Sequence, residues 1–265
     1  MNIASKLGIG LFAAGILAAG AAELASISKA ADLTVPKFVT EADGVLSGKG
    51  NKYLFSKQMV KIDPAKKYQI SGEFRTAAGP SGLVYLGFAP CDAKGNLIWP
   101  RAVNNVRNTE TEIAEAAKKG DKTIKLKDAS KWNKVTPYSW IVLGAKDDFS
   151  DMPNMNAVST VPKSFKQDGD VWEVTLKAPL KADIAAGTKV RQQLDGASYM
   201  YSAGAFKPTD KWTARKGIAS GIVKSGNPGN KFWPGTVSAR IVILVLNAKQ
   251  DTVTEFRNIK VEEVK

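Results

Sequence analysis

Not one histidine occurs among the 265 residues of this chain. Imidazole is the commonest general base and metal ligand near neutral pH. Its absence removes Ser-His-Asp and Cys-His hydrolases, His-bearing zinc sites and His-based lyases together. Aromatic, basic and acidic side chains remain. Trp99, Trp212, Trp233, Tyr199 and Tyr201 are candidates for stacking, because an aromatic face packs well on the apolar C–H groups of a sugar ring. Trp99 and Trp233 each precede a proline, which holds them in extended backbone at a loop. Trp140 and Trp172 sit inside apolar runs and read as core. Tyr199 and Tyr201 alternate, so both rings share one side of the chain and either line a groove or anchor a junction.

Arg75, Arg101, Arg107, Arg191, Arg215 and Lys216 can read sulfate or carboxylate groups, arginine through its bidentate fork. The competing reading is an ordinary solvated surface. Asp147, Asp148 and Asp151 fall in a ten-residue run with Asn154 and Asn156. Such oxygen ligands suit a structural calcium ion, although the spacing is not that of an EF-hand and Asp and Asn also make turns. No other cofactor is implied. For catalysis, the chain could supply a His-free lyase, with Tyr or Lys abstracting a sugar C5 proton while Arg or Asn neutralises the acid group. Paired carboxylates such as Glu73 with Asp92 are the alternative for glycoside hydrolysis. No spacing links either set, so no catalytic residue is assigned.

The formal charge is +13. An excess of this size points to an anionic partner or simply keeps an exported protein soluble. Cys91 is the only cysteine, so no internal disulfide can form, and it reads as a buried small hydrophobe. The N-terminus has the grammar of a secretory signal peptide over residues 1–22. A short basic start precedes an apolar run from Leu7 to Ala19, then an Ala-Gly-Ala cleavage pattern at residues 19–21, with Ser28-Lys29-Ala30 as a weaker second choice. The run is shorter than the roughly 18 residues a spanning helix needs. The expected location is therefore secreted, periplasmic or cell-surface, with no membrane span after cleavage.

Strands must position these residues. Tyr68–Arg75 alternates, Leu83–Phe88 and Ile241–Leu246 are apolar on both faces, and Phe256–Val261 follows a polar turn. Thr109–Lys119 has the one helix-like composition in the mature chain, acidic early, basic late and stopped by Gly120. Gly120–Trp132 alternates strictly over its middle, Ser139–Gly144 is an apolar run, and Val171–Leu176 and Thr188–Arg191 read as two more strands. The expected fold is all-β: a jelly-roll-type antiparallel β-sandwich from residues 38–106 and 199–265, interrupted by a small β-rich insertion over 107–198. Two consecutive β-domains with no shared sheet are the alternative.

Two resemblances follow from these residues. Tyr68–Arg75, the Lys-Trp-Thr step at Lys211–Thr213 and the final Phe256-Arg257-Asn258-Ile259-Lys260-Val261 resemble secreted jelly-roll carbohydrate-binding modules. Gly120–Ser130, Ile141–Gly144, Leu176–Leu180 and Ala186–Val190 are similar to a small β-module of phage tail and bacterial surface proteins, which is structural or adhesive there. Together they imply a non-catalytic binder of polysaccharide; the positive charge makes an anionic one the expectation, and no nucleic acid is expected as partner. Trp99, Trp233, Tyr199, Tyr201, Arg101 and Arg215 are the expected ligand contacts. A His-free polysaccharide lyase and an envelope or appendage component are the rivals.

Overall fold

A computed structural model describes residues 22–132, 138–160, 164–247 and 249–265. The expected leader, up to residue 21, lies outside the described residues. In chain order the first strands are β1 (Glu23–Ile27), β2 (Thr40–Ala42), β3 (Val45–Lys49), β4 (Lys52–Lys61), β5 (Lys67–Ala78) and β6 (Leu83–Cys91). The insertion carries β7 (Thr111–Glu112), β8 (Thr123–Leu126), β9 (Ser139–Leu143), β10 (Ala157–Thr160), β11 (Ser164–Asp168), β12 (Val171–Thr175) and β13 (Lys189–Leu194). The chain ends with β14 (Ala205–Phe206), β15 (Thr213–Ser220), β16 (Ser238–Leu246) and β17 (Val253–Val264).

Two antiparallel sheets face each other. One runs β15-β5-β17-β3-β2 with β1 also on β17, and the other runs β14-β6-β16-β4. The Tyr68–Arg75 strand pairs directly with the Phe256–Val261 strand, as Phe74 opposite Phe256 and Ile70 opposite Val261. That pairing rules out two β-domains without a shared sheet. Alternation decides the core: Tyr68, Ile70 and Phe74 of β5 point inward with Phe256, Ile259 and Val261 of β17, against Leu86 and Phe88 of β6 and Ile241 and Ile243 of β16. Strand pairing starts upstream of residue 38, since β1 lies on β17 with Ile27 opposite Ile259.

The insertion forms two smaller sheets, β10-β9-β13-β7 and β11-β12-β8, around its own core of Ile124, Leu126, Trp132, Ile141, Val174 and Val190. The helix expected over Thr109–Lys119 is not there. Ile113 bridges to Leu126 and Ala117 to Ile184, so both are buried by strand neighbours. Their spacing of four suits a helix face equally well, and tertiary pairing wins. The only helical turns among the described residues are three short 3-10 turns.

The two parts meet at a narrow neck. Val106 N–H donates to the Gln192 carbonyl at 2.9 Å and Leu194 N–H to that of Asn104 at 2.8 Å, so the outgoing and returning chains run side by side. Around the neck lies a buried polar seam. Arg191, fully buried, donates to Asp151 Oδ2 at 2.7 Å and to the Lys146 carbonyl at 3.3 Å. Asn154 N–H donates to the Ala102 carbonyl at 2.8 Å.

Candidate ligand-binding groove

The strand β17 changes neighbours halfway along, and that change makes a hollow. Its first residues, Val253–Phe256, pair with β3, whereas Ile259–Glu262 pair with β1. Between them Asn258 takes a left-handed backbone (φ 52°), which Asn tolerates better than most residues. The result is a bulge. Arg257 stands opposite Glu73 and Lys260 opposite Ser71, so Asn258 and Ile259 together face Gly72. Ile259 swings into the core over Gly72, where a Cβ would overlap its Cδ1. Asn258 is thereby turned outward.

A groove of about 1000 Å³ crosses the outer face at this bulge. It runs from Glu23, Ser26, Ser28 and the Gly44 turn, over Asn258, Lys260 and Ser71, to Ala214 and Lys216. Its lining is rich in hydroxyl, amide and ammonium groups. Lys260 is held by Glu262 at 2.8 Å, and that hydrogen bond lifts its ammonium pKa above the ordinary lysine value. Lys216 is exposed and has no ion-pair partner among the described residues.

Beyond Glu73 at one end stands a ladder of charges. Arg257 Nε meets Glu73 at 2.6 Å and Arg75 Nε meets Glu255 at 2.5 Å. The Trp212 ring lies 4.2 Å from the Arg257 guanidinium and 4.8 Å from that of Arg75. Partly exposed ion pairs contribute little stability. Their effect here is geometric: two cations against one indole fix the ring over the sheet.

The residues expected from sequence fall in several places. Trp99 is 36% exposed. Arg101 lies 5.9 Å from the Trp99 ring and 4.6 Å from that of Trp140. Trp140 is therefore half-buried at the seam and not core, its Nε1 donating to Asp195 at 2.9 Å; Trp172 is half-buried as well. Next to Trp99 a hollow of about 500 Å³ is walled by Leu97, Pro153 and Met155. Its polar members, Asp92 and Asn96, are spent on their own turn, since Asp92 accepts from the N–H groups of Lys94 and Asn96.

Tyr199 and Tyr201 do share a face, on the outside of the other sheet, with ring centroids 6.2 Å apart. Tyr199 also meets Phe55 at 5.2 Å and Tyr201 meets Tyr85 at 4.7 Å. The segment can lie there because Gly87 has no side chain; a Cβ would strike the Met200 carbonyl. Burial pushes both phenols above the ordinary tyrosine value.

Trp233 is corrected outright. It is fully buried in the main core with its Nε1 donating to the Pro228 carbonyl at 3.2 Å, so it offers no face for stacking. Gly235 packs on Pro153 and Ile98, which puts this turn beside the Trp99 hollow. Arg215 borders the groove on β15, but its guanidinium turns inward, 4.7 Å from the buried Phe206 ring, and its buried Nε has no partner. Of Asp147, Asp148 and Asp151, two have partners within the fold. Asp151 is committed to Arg191 and to Asn154 Nδ2, Asp148 accepts from Ser150 N–H, and no group of three metal-ligating side chains occurs among the described residues. Glu73 lies on β5, and Asp92 lies in the turn after β6 of the other sheet, so they form no pair. Cys91 is buried, and desolvation raises its thiol pKa.

The bulge was missed from sequence. Its one signal is the polar Asn258 where strict alternation would place an inward residue. Among the described residues no helix is long and apolar enough to cross a membrane. No family profile matches the chain, and no curated protein sequence matches it. One solved structure, a protein of Parabacteroides distasonis ATCC 8503 provisionally named a glycosyl hydrolase, aligns at 15% identity over 88% of this chain and 94% of that one. Its TM-score is 0.28, too loose a superposition to assign either fold or activity.

Proposed function

We propose that the chain is an exported, non-catalytic glycan-binding protein, and that the groove across β1, β17, β5 and β15 is its binding face. Trp212 supplies the stacking surface. Ser26, Ser71 and Asn258 read sugar hydroxyls, and Lys216 meets an acid group. The observation that carries this reading is the groove's lining of hydroxyls, an outward amide and an exposed ammonium, with an indole pinned by two guanidiniums beyond Glu73 on the same sheet. Glycan sites combine such a platform with a few directed polar groups.

The enzymatic rivals find less support. Glycoside hydrolysis needs two carboxylates across the bond. Of the two along the groove, Glu73 is tied to Arg257, which leaves Glu23. A tyrosine base is served by a lowered pKa, whereas Tyr199 and Tyr201 are raised and lie on the opposite sheet. An anionic glycan fits the charge distribution. Residues 23–106 and 199–265 carry 22 basic against 12 acidic side chains, while 107–198 carry 15 against 13. The excess thus sits on the sandwich.

Affinity electrophoresis in gels containing neutral β-glucan, dextran sulfate or polygalacturonate tests the proposal. The wild type should be retarded by at least one polymer, and Trp212→Ala should migrate as in a polymer-free gel while melting within a few degrees of the parent. Retention unchanged in Trp212→Ala removes this groove as the site. Release of unsaturated uronate from polygalacturonate would make the protein a lyase.

A further inference from the structure

A second hollow lies at the other edge of the same sheet, where β2 and β3 leave β17. About 470 Å³ of space there is lined by Lys37, Phe38, Thr40, Ser47, Lys49 and Lys52. No acidic side chain lines it. None of the three lysines has an ion-pair partner among the described residues, and Lys52 Nζ donates only to the neighbouring Asn51 carbonyl at 3.3 Å. The nearest carboxylate along the row, Glu255, is bound by Arg75 at 2.5 Å and accepts from Ser47 Oγ at 3.3 Å. Three ammonium groups therefore share one concavity without a counter-charge, and like charges so placed raise the local potential for anions.

The aromatic member narrows the class of ligand. Phe38 is 39% exposed, and Lys52 Nζ stands 5.7 Å from its ring centroid. Thr40 and Ser47 stand opposite each other across β2 and β3, which adds hydroxyls to the same wall. A free inorganic anion has no use for the ring face. A sugar unit carrying a sulfate or carboxylate uses all three features: its apolar face on Phe38, its acid group among the ammoniums, its hydroxyls at Thr40.

We propose that this Lys37-Lys49-Lys52 hollow binds the acid-bearing units of an anionic polysaccharide, apart from the Trp212 groove. It rests on the glycan-binding reading for the nature of the polymer and makes that polymer acidic.

The test compares three proteins on dextran sulfate, polygalacturonate and neutral dextran, by affinity electrophoresis and a salt titration. They are the wild type, K37A/K49A/K52A, and K94A/K207A/K231A, which removes the same charge from exposed lysines elsewhere. Loss of three contacts should weaken polyanion binding by about tenfold or more and flatten its salt dependence, and the control should change little. The two polyanions distinguish a sulfate from a carboxylate preference. Equal losses in both triple variants would reduce the effect to net charge and overturn the proposal, as would no loss in either. Phe38→Ala should weaken polyanion binding at unchanged net charge; a Phe38→Ala protein that binds like the wild type overturns the stacking part. Wild-type binding to neutral dextran alone sinks this proposal and leaves the glycan reading intact. Polyanion binding lost in K37A/K49A/K52A but untouched by Trp212→Ala on every polymer has the reverse meaning.

Discussion

The sandwich and the insertion are built from the same kind of strand and held by different means. The sandwich has a continuous apolar interior of large side chains, among them Tyr68, Phe74, Phe88, Phe232 and Trp233. The insertion has a smaller core of its own. Where the two meet, apolar contact is confined to Pro153 and Met155 beside Leu97, Ile98 and Gly235, and the rest of the described seam is polar. Arg191, Gln192, Gln193, Ser139, Asn154 and Thr109 are all buried at the seam, with Gln192 Nε2 donating to Ser139 Oγ at 2.5 Å. Apolar packing tolerates sliding and repacking, whereas hydrogen bonds are directional. The seam therefore sets the orientation of the insertion and contributes little to holding either core together.

If that contrast is right, the two parts are separable. Replacing residues 107–191 by a short glycine turn across the neck should leave a sandwich that melts cooperatively and still binds glycan through the Trp212 groove. Calorimetry should show two transitions in the full chain and one in the shortened chain. A shortened chain that is unfolded would make the insertion part of the sandwich's folding unit.

Single core substitutions come next in size. Trp233→Ala should destabilise the sandwich by about 3–5 kcal/mol and leave the insertion's transition where it was. Trp132→Ala, in the insertion's core with its Nε1 bonded to the Thr109 carbonyl at 2.9 Å, should do the opposite. Arg191→Met leaves Asp151 buried and unpaired, a change that typically costs about 3–5 kcal/mol. Water reaching the seam through local opening should lower that figure, and the loss should fall on the insertion's transition. Loss in both transitions would mean that the seam couples the cores. The smallest effect is on a rate. Buried Cys91, its thiol pKa raised by desolvation, should react slowly with a disulfide reagent in the native protein. Its labelling should follow opening of the sandwich and ignore Trp132→Ala.

Legibility from sequence followed the same divide between local pattern and tertiary choice. Tyr68–Arg75 and Ile241–Leu246 could be read because one and two buried faces leave plain signatures. In β17 the inward residues are Phe256, Ile259 and Val261, a step of three followed by a step of two. No single period describes that, so the strand was found and its bulge was not. Thr109–Lys119 was misread because a spacing of four fits a helix, and only the partners Leu126 and Ile184 decide otherwise. Trp99 and Trp233 have like backbone signals before proline and opposite fates. One lies at the seam, the other beneath the turn at Gly235, and nothing local separates them. Of the expected contacts, Arg215 alone lines the Trp212 groove, because a groove depends on which strands become neighbours.

The place of β17 also fixes an order of events during synthesis. It follows every other strand of its sheet in the chain, yet it lies between β5 on one side and β3 and β1 on the other. Until β17 has been made, β1 has no strand to pair with, and the pairs β2–β3 and β5–β15 have nothing to join them. The insertion, complete by Leu194, can close well before that, since domains generally fold as units as they emerge. Contacts between the two ends of a chain form slowly. A chain of this layout leaves one sheet in two unjoined halves until β17 is in place, so the insertion and that sheet close as separate events.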